Sequence, residues 1–298
     1  MSSAAIFRNS ISFEFIPGFF PLLLCYSWVS SGRDCNVKLL LTADFHFHKS
    51  WFEWLLRVAD RYDLICIAGD LLDMFHPEGV VPQLIYVYEW MQMLTKLQVP
   101  VALCSGNHDL PGNHPILAPG VSIRKDKLPI LGEFAKHRRW LHALKMNHLV
   151  AVDDDSKIIR TRTGEAITVV CLPYAADGHV RPLDPAARPY LILHHEPPAQ
   201  TLVAEPKAGS REFALVVARQ QPTWTLSGHV HFTKGAENHF SQRIGRSWCF
   251  NCRQTPPAKI LPPEPNFIIL DTKSREASWV HWLSTENFEE IKVGVPLP

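Results

Sequence analysis

The sequence predicts an α/β protein, and three observations carry that prediction. From Val37 onward, short apolar runs of strand length alternate with stretches of helical periodicity. Polar clusters rich in Asp, His and Asn follow those runs on their C-terminal side. No repeat of fixed period and no low-complexity tract offers a competing architecture.

Val37–Ala43 (VKLLLTA) is the first expected strand, a short apolar run that ends in a polar cluster, and Trp51–Arg61 follows with apolar residues at helical spacing. Leu64–Ala68 is the second strand. Val81–Leu97 is the second helix, with Pro82 in its first turn, where a missing N–H costs little, and Pro100 beyond its end. Val101–Cys104 is the third strand. Leu110–Val150 is rich in Pro, Gly and basic residues and predicts long loops forming one wall of a cleft, with Lys136–Trp140 (KHRRW) as a solvated face. Lys157–Arg162 and Ala166–Leu172 predict a hairpin whose turn uses Gly164. Tyr190–Leu193 and Trp224–Leu226 are strands ending in histidine-bearing loops, and Ser247–Asn251, Phe267–Asp271 and Ala277–Trp282 close the fold.

Residues 37–298 carry no linker-like segment and are expected to form one domain, with residues 1–36 as an extension outside it. Phe15–Val29 is apolar, yet Pro17, Gly18 and Pro21 break it and it falls short of the about 20 residues a spanning helix needs. No stable membrane span is expected. A cytoplasmic location follows, with export through residues 1–30 as the minor alternative.

At 46% hydrophobic and 20% charged residues the chain lies outside the disordered, collagen-like and coiled-coil classes. Lys and Arg total 30 against 29 Asp and Glu, so net charge singles out neither duplex nucleic acid nor an anionic membrane as partner. The 7 cysteines are odd in number and scattered, as expected of reduced core thiols. Cys249 and Cys252 have the spacing of half a zinc knuckle, but no second pair completes it, and they read as strand residues.

The chemistry lies in the residues just past the end of each strand. After the first comes Asp44-Phe45-His46; after the second, Gly69-Asp70-Leu71-Leu72-Asp73; after the third, Gly106-Asn107-His108-Asp109; later come His194-His195-Glu196-Pro197 and Gly228-His229-Val230-His231. Loops beyond strand carboxyl ends are where open α/β sheets bind ligands, so these residues can converge on one crevice. Asp44, His46, Asp70, Asn107, His195, His229 and His231 offer hard oxygens and imidazoles with no thiolate, a set that suits Mn, Fe or Zn. They outnumber the ligands of one tetrahedral site, whereas two cations sharing the Asp70 carboxylate could use them all. In an extended His229-Val230-His231 both imidazoles face the same way.

This ordered set resembles the calcineurin-like metallophosphoesterase superfamily, whose motifs run D-x-H, G-D-x-x-D, G-N-H-[DE], H-x-P and G-H-x-H. The resemblance spans Val37 to about Asp271. It implies two mixed β-sheets packed as a sandwich flanked by helices, in four layers. It also implies dinuclear-metal-dependent hydrolysis of a phosphate ester, a phosphodiester or a monoester, by a metal-bridging hydroxide. Asp44, His46 and His231 would hold one divalent metal ion and Asn107, His195 and His229 the other, with Asp70 bridging. His108 would be the catalytic residue, unligated and aimed at the phosphate or leaving group, its ring oriented by Asp109. Two departures stand out: His194 adjoins His195, and the family's N-P-G appears as Asn251-Cys252-Arg253.

Amidohydrolase and β-lactamase-like readings are disfavoured because they want H-x-H signatures near the first strand. A catalytically silent metal-binding scaffold of the same fold is the non-enzyme alternative. Phe45, Phe47, Trp51, Trp54 and Phe232 stand near ligands and could stack on a base or equally be core; the expected partner is a phosphate ester, a nucleotide or a single-stranded nucleic acid, with no obligate protein partner.

Overall fold

The structure is a computed structural model, described for residues 37–114, 130, 132–134, 140–174, 189–206, 208–233, 235–236, 238–255, 262–282 and 290–297. The N-terminal extension, Cys25, Cys35, His179 and residues 136–139 of the basic run lie outside the described residues.

Strands β1 (Lys38–Thr42), β2 (Leu64–Ala68) and β3 (Val101–Cys104) are joined by helices α1 (Lys49–Val58) and α2 (Val80–Lys96). Then come β4 (Val150–Ala151), β5 (Ser156–Arg160), β6 (Ala166–Cys171), β7 (Tyr190–Leu193), helix α3 (Arg211–Gln220) and β8 (Trp224–Ser227). The chain closes with β9 (Ser241–Ile244), β10 (Ser247–Asn251), β11 (Phe267–Asp271), β12 (Glu276–Trp282) and β13 (Glu290–Pro296). One sheet has 7 strands in the order β13-β12-β11-β1-β2-β3-β4, and the other has 6 in the order β5-β6-β7-β8-β10-β9. Both are mixed: β1, β2, β3 and β4 run parallel, as do β6, β7, β8 and β10, while the outer pairs β1/β11 and β5/β6 are antiparallel.

Period-2 alternation sorts the side chains into layers. Leu39, Leu41, Leu64 and Cys66 meet Ile167, Val169, Leu191 and Leu226 between the sheets. Their neighbours Leu40, Ile65, Ile67 and Leu103 face the other way, onto Phe52, Leu55, Leu84 and Trp90 of α1 and α2. On the far face of the second sheet, Val170 and Ile192 pack against Phe213 and Val217 of α3. This is the expected four-layer sandwich. Leu191 is fully buried at its centre, and Leu191→Ala is expected to lower unfolding free energy by about 2–5 kcal/mol, read from urea denaturation with an unchanged m-value.

The strands read from the sequence are present, with the hairpin turning through Gly164 at φ 87. The first helix begins at Lys49 rather than Trp51, and its last turn, Ala59–Arg61, tightens to 3₁₀. Residues 110–150 are not all loop. Trp140–Leu144 forms a 3₁₀ helix whose Trp140, Leu141 and Leu144 are core, so Trp140 belongs to no solvated face. The described cysteines are buried free thiols; Cys249 lies in β10 and Cys252 just beyond it, donating its S–H to Leu41 O. Among the described residues no helix is long and apolar enough to cross a membrane.

Candidate metal centre

The residues singled out by the sequence come together where the parallel strands of both sheets end. Asp44 and His46 leave β1, Asp70 leaves β2, Asn107 and His108 leave β3, His195 leaves β7, and His229 and His231 leave β8. Backbone bonds clamp these loops: Asp44 N and His46 N donate to Gly69 O and Asp70 O at 3.0 and 2.9 Å, and Gly228 N donates to His195 O at 2.9 Å. Asp44, His46, Asp70 and His229 all adopt positive φ, between 43 and 68. L-residues avoid that region unless the surroundings enforce it, and strain of this kind gathers at functional sites.

The motif glycines make this crowding possible. Gly69 has φ +86, and a Cβ there would lie 2.6 Å from His195 Nδ1. A Cβ on Gly106 would intrude on the Asp70 carboxylate and sit 2.5 Å from Asp70 N. Gly106→Ala is therefore expected to displace Asp70 and to lower kcat/KM by about 10²-fold, the cost of a misplacement near 1 Å. Far-UV circular dichroism should stay unchanged, and normal turnover in this variant would show that the close approach is incidental.

Three groups of potential ligand atoms, each mutually within 4.8 Å, overlap at the crevice: Asp44, His46 and His231; Asp44, Asp70 and His195; and His46, Asp70 and His108. His46 Nε2 faces His231 Nε2 at 3.2 Å. Asn107 Oδ1 lies 2.9 Å from His195 Nε2 and 3.0 Å from His229 Nδ1. Asp70 Oδ2 stands between the two clusters, 3.3 Å from His195 Nε2 and 3.9 Å from His46 Nε2. His195 Nδ1 meets Ala68 O at 2.8 Å, which leaves Nε2 for the site. His194 faces away: it meets Glu196 O at 2.8 Å and packs on Phe213 at 4.7 Å between ring centroids.

Electrostatics show a site short of positive charge. Burial raises the Asp44 carboxyl above its usual pKa. Burial would raise Asp70 too, but His195, His46 and His108 hold it well below the carboxylate range. Against the cost of burial, Asp70 and Asp44 push His195 up to about 10, while burial lowers His46 to about 3 and His229 to about 4. Burial thus keeps His46 and His229 neutral, the state in which an imidazole ligates a metal, and the proton that Asp70 and Asp44 hold on His195 is one a cation would displace, so the donor set fits divalent ions.

The His108 ring lies 4.4 Å from that of His46. Met74 N donates to His108 Nδ1 at 3.2 Å, which in the neutral ring leaves the proton on Nε2. Asp73 Oδ1 is 3.5 Å from the same Nδ1. Burial opposes protonation of His108, but Asp73, Asp70 and Asp109 together raise its pKa. Asp109 does not orient this ring, contrary to expectation: its carboxylate accepts from Leu72 N at 3.0 Å and Gly106 N at 2.8 Å, tying β2 to β3. The Met74 amide holds the neutral ring instead, and Asp73 beside the same nitrogen is placed to accept its N–H once the ring is protonated.

Phe45, Phe47, Trp51, Trp54 and Phe232 are all buried and present no face to a ligand. The rings that reach the site are ones the sequence did not single out. Phe75 is 79% exposed and lies 5.7 Å from His108 edge to face, and Tyr174 lies 5.8 Å from His195. Tyr174 follows β6, another strand of the parallel set, which was the available signal. His48 packs on Trp51, His76 on Phe47, and His114 Nε2 bonds His108 O at 2.6 Å, so none joins the cluster.

The sequence model of the calcineurin-like phosphoesterase family matches residues 37–233, more than half of the chain. No curated protein matches the chain. Among solved structures, TT1561 of Thermus thermophilus superposes with a TM-score of 0.50 at 15% identity, covering 86% of this chain and 98% of its own. A metallophosphoesterase from Sphaerobacter thermophilus gives 0.37 at 13% identity, covering 84% and 89%. Yfce, a phosphoesterase from E. coli, gives 0.36 at 13% identity, covering 88% and 100%.

Proposed function

The chain belongs to the calcineurin-like phosphoesterase family and is a metal-dependent hydrolase, and we propose that its crevice holds two divalent cations and hydrolyses a phosphodiester. Asp44, His46 and His231 would hold one ion and Asn107, His195 and His229 the other, with Asp70 shared. The observation that carries this reading is the place of Asp70 Oδ2 between two donor clusters, 3.9 Å from His46 and 3.3 Å from His195. When bound, such a pair makes water a nucleophile near neutral pH and offsets charge on the phosphoryl oxygens.

The remaining work falls to the protein's own groups. Ala68 O fixes the His195 tautomer, and His229 N donates to Asp44 Oδ1 and Oδ2 at 2.9 and 3.1 Å, fixing that carboxylate. His108 N donates to Asp70 Oδ1 at 2.7 Å, so the loop that carries His108 also aims the shared carboxylate. His108, its pKa raised by Asp73, donates a proton to the departing oxygen. Phe75 beside it offers an open ring face to a flat leaving group, which favours a nucleotide or single-stranded phosphodiester over a plain monoester. The buried free thiols suit the cytoplasm.

Turnover of bis-p-nitrophenyl phosphate against p-nitrophenyl phosphate tests this reading. The diester should be the better substrate, a chelator should stop hydrolysis, and manganese should restore it. Preference for the monoester would overturn the diester assignment.

A further inference from the structure

A cavity of about 550 Å³, lined by none of the candidate metal ligands, lies between segments that continue from two of the histidine-bearing loops. Gln200, Thr201 and Glu205, downstream of His195, form one side; Thr233 and His239, downstream of His231, form another; and Arg253 completes the wall. Arg253 is 1% exposed. Among the described residues its buried Nε and Nη1 have no hydrogen-bond partner, while Nη2 meets only Thr233 Oγ1 at 3.4 Å and Glu205 Oε1 at 3.6 Å. A guanidinium carries its N–H donors in a fixed fork and keeps its charge at any working pH, so burying it with so few acceptors is unfavourable unless an anion completes the set. Glu205 is a poor counter-ion, because its side chain is 46% exposed and its contact is long.

The backbone holds the arginine in place. Arg253 N donates to Asn251 Oδ1 at 2.8 Å, Asn266 Nδ2 donates to Arg253 O at 2.6 Å, and the residue keeps φ 46. That conformation favours glycine, the residue of the N-P-G pattern that Arg253 replaces. Asn251 Nδ2 further donates to Val203 O and to Gly228 O, at 3.0 and 2.9 Å, coupling this wall to the loop of His229 and His231.

We propose that this cavity binds an oxyanion group, a phosphate or carboxylate, through the Arg253 guanidinium, with Glu205 occupying the position in its absence. An oxyanion at Nη2, where Glu205 makes its long contact, would supply the charge-assisted partner that the guanidinium lacks. The group belongs either to a pendant part of the ester substrate or to a free oxyanion.

Calorimetric titration of inorganic phosphate into the full-length metal-loaded protein, with Glu205→Gln and Arg253→Met alongside, tests the proposal. The metal centre is common to all three, so differences report on the cavity. Arg253→Met should lose one phosphate site per chain and melt no lower than the wild type, since a charge without partners is replaced by an apolar chain of similar length. Glu205→Gln should bind phosphate about fivefold more tightly, the worth of a half-exposed ion pair that no longer competes. Unchanged phosphate stoichiometry in Arg253→Met, or a marked drop in its melting temperature, would overturn the proposal in favour of a structural ion pair. If Arg253→Met does not fold, phosphate binding by Glu205→Gln that is unchanged or weaker than wild type overturns it equally. A p-nitrophenyl nucleotide ester with and without a second phosphate then distinguishes the sources. Loss of kcat/KM in Arg253→Met for the doubly phosphorylated ester alone assigns the anion to the substrate, and equal values for both assign it to a free oxyanion. Since phosphate binding is read without turnover, failure of the cavity assignment is distinguishable from failure of the phosphodiesterase reading, on which the substrate arm rests.

Discussion

Asp70→Asn is expected to reduce turnover by at least about 10³-fold and to lower metal content with it. The substitution keeps shape but removes the charge of a carboxylate whose Oδ2 stands between His46 and His195, and several kcal/mol of transition-state charge stabilisation depend on the ions it helps hold. Burial keeps His46 and His229 neutral, so they cannot replace that charge. Fold should survive, because the backbone bonds that clamp the loop, His46 N to Asp70 O among them, do not involve the side chain. Near-normal turnover with unchanged metal content would sink the shared-carboxylate arrangement.

His108→Ala should behave differently. It should keep its metal and its KM and lose about 10²–10⁴-fold in kcat, the range of a single general acid. The loss should shrink for an ester whose leaving group needs no proton, such as p-nitrophenolate, and be largest for an alkyl leaving group. That split separates proton donation from structural support, since a merely structural role would reduce both esters alike. Loss of metal in this variant would instead make His108 a ligand, a role its place in the cluster with His46 and Asp70 makes geometrically available.

What was legible in the sequence is what a repeating local rule encodes. The parallel strands β1, β2, β3, β7 and β8 are short apolar runs, each followed at once by candidate ligands, so the places of Asp44, Asp70, Asn107 and His229 could be read without coordinates. The adjacent histidines could not be told apart from the residues alone, because adjacency fixes that they point oppositely and leaves open which faces the crevice; Phe213 of α3 covers His194 and thereby decides it. Asp109 misled for a related reason. Sequence neighbourhood to His108 suggests contact, whereas the 3₁₀ turn at Asn107–Asp109 sends the two side chains apart and brings Asp73, distant along the chain, to the ring.

Of the two roles open to the aromatic residues, core is the one realised: Trp51 and Trp54 lie on the buried face of α1, Phe45 and Phe47 pack on Phe52 of the same helix, and Phe232 packs on Trp279. Phe75 sits in a polar turn with no periodicity and gave no signal of its own. Helix α3 and the edge strand β13 escaped notice; β13 buries little on either face, its residues alternating exposed and half-buried. The cavity at Arg253 was visible in the sequence only as a departure from the N-P-G pattern.

The most direct measurement is metal stoichiometry by mass spectrometry on the purified full chain, with hydrolysis of bis-p-nitrophenyl phosphate followed on the same sample. The shared-carboxylate arrangement predicts about two divalent ions per chain, and turnover that disappears as they are removed and returns with manganese. A folded protein that binds no divalent metal, or one that binds two and cleaves no phosphate ester, would contradict it.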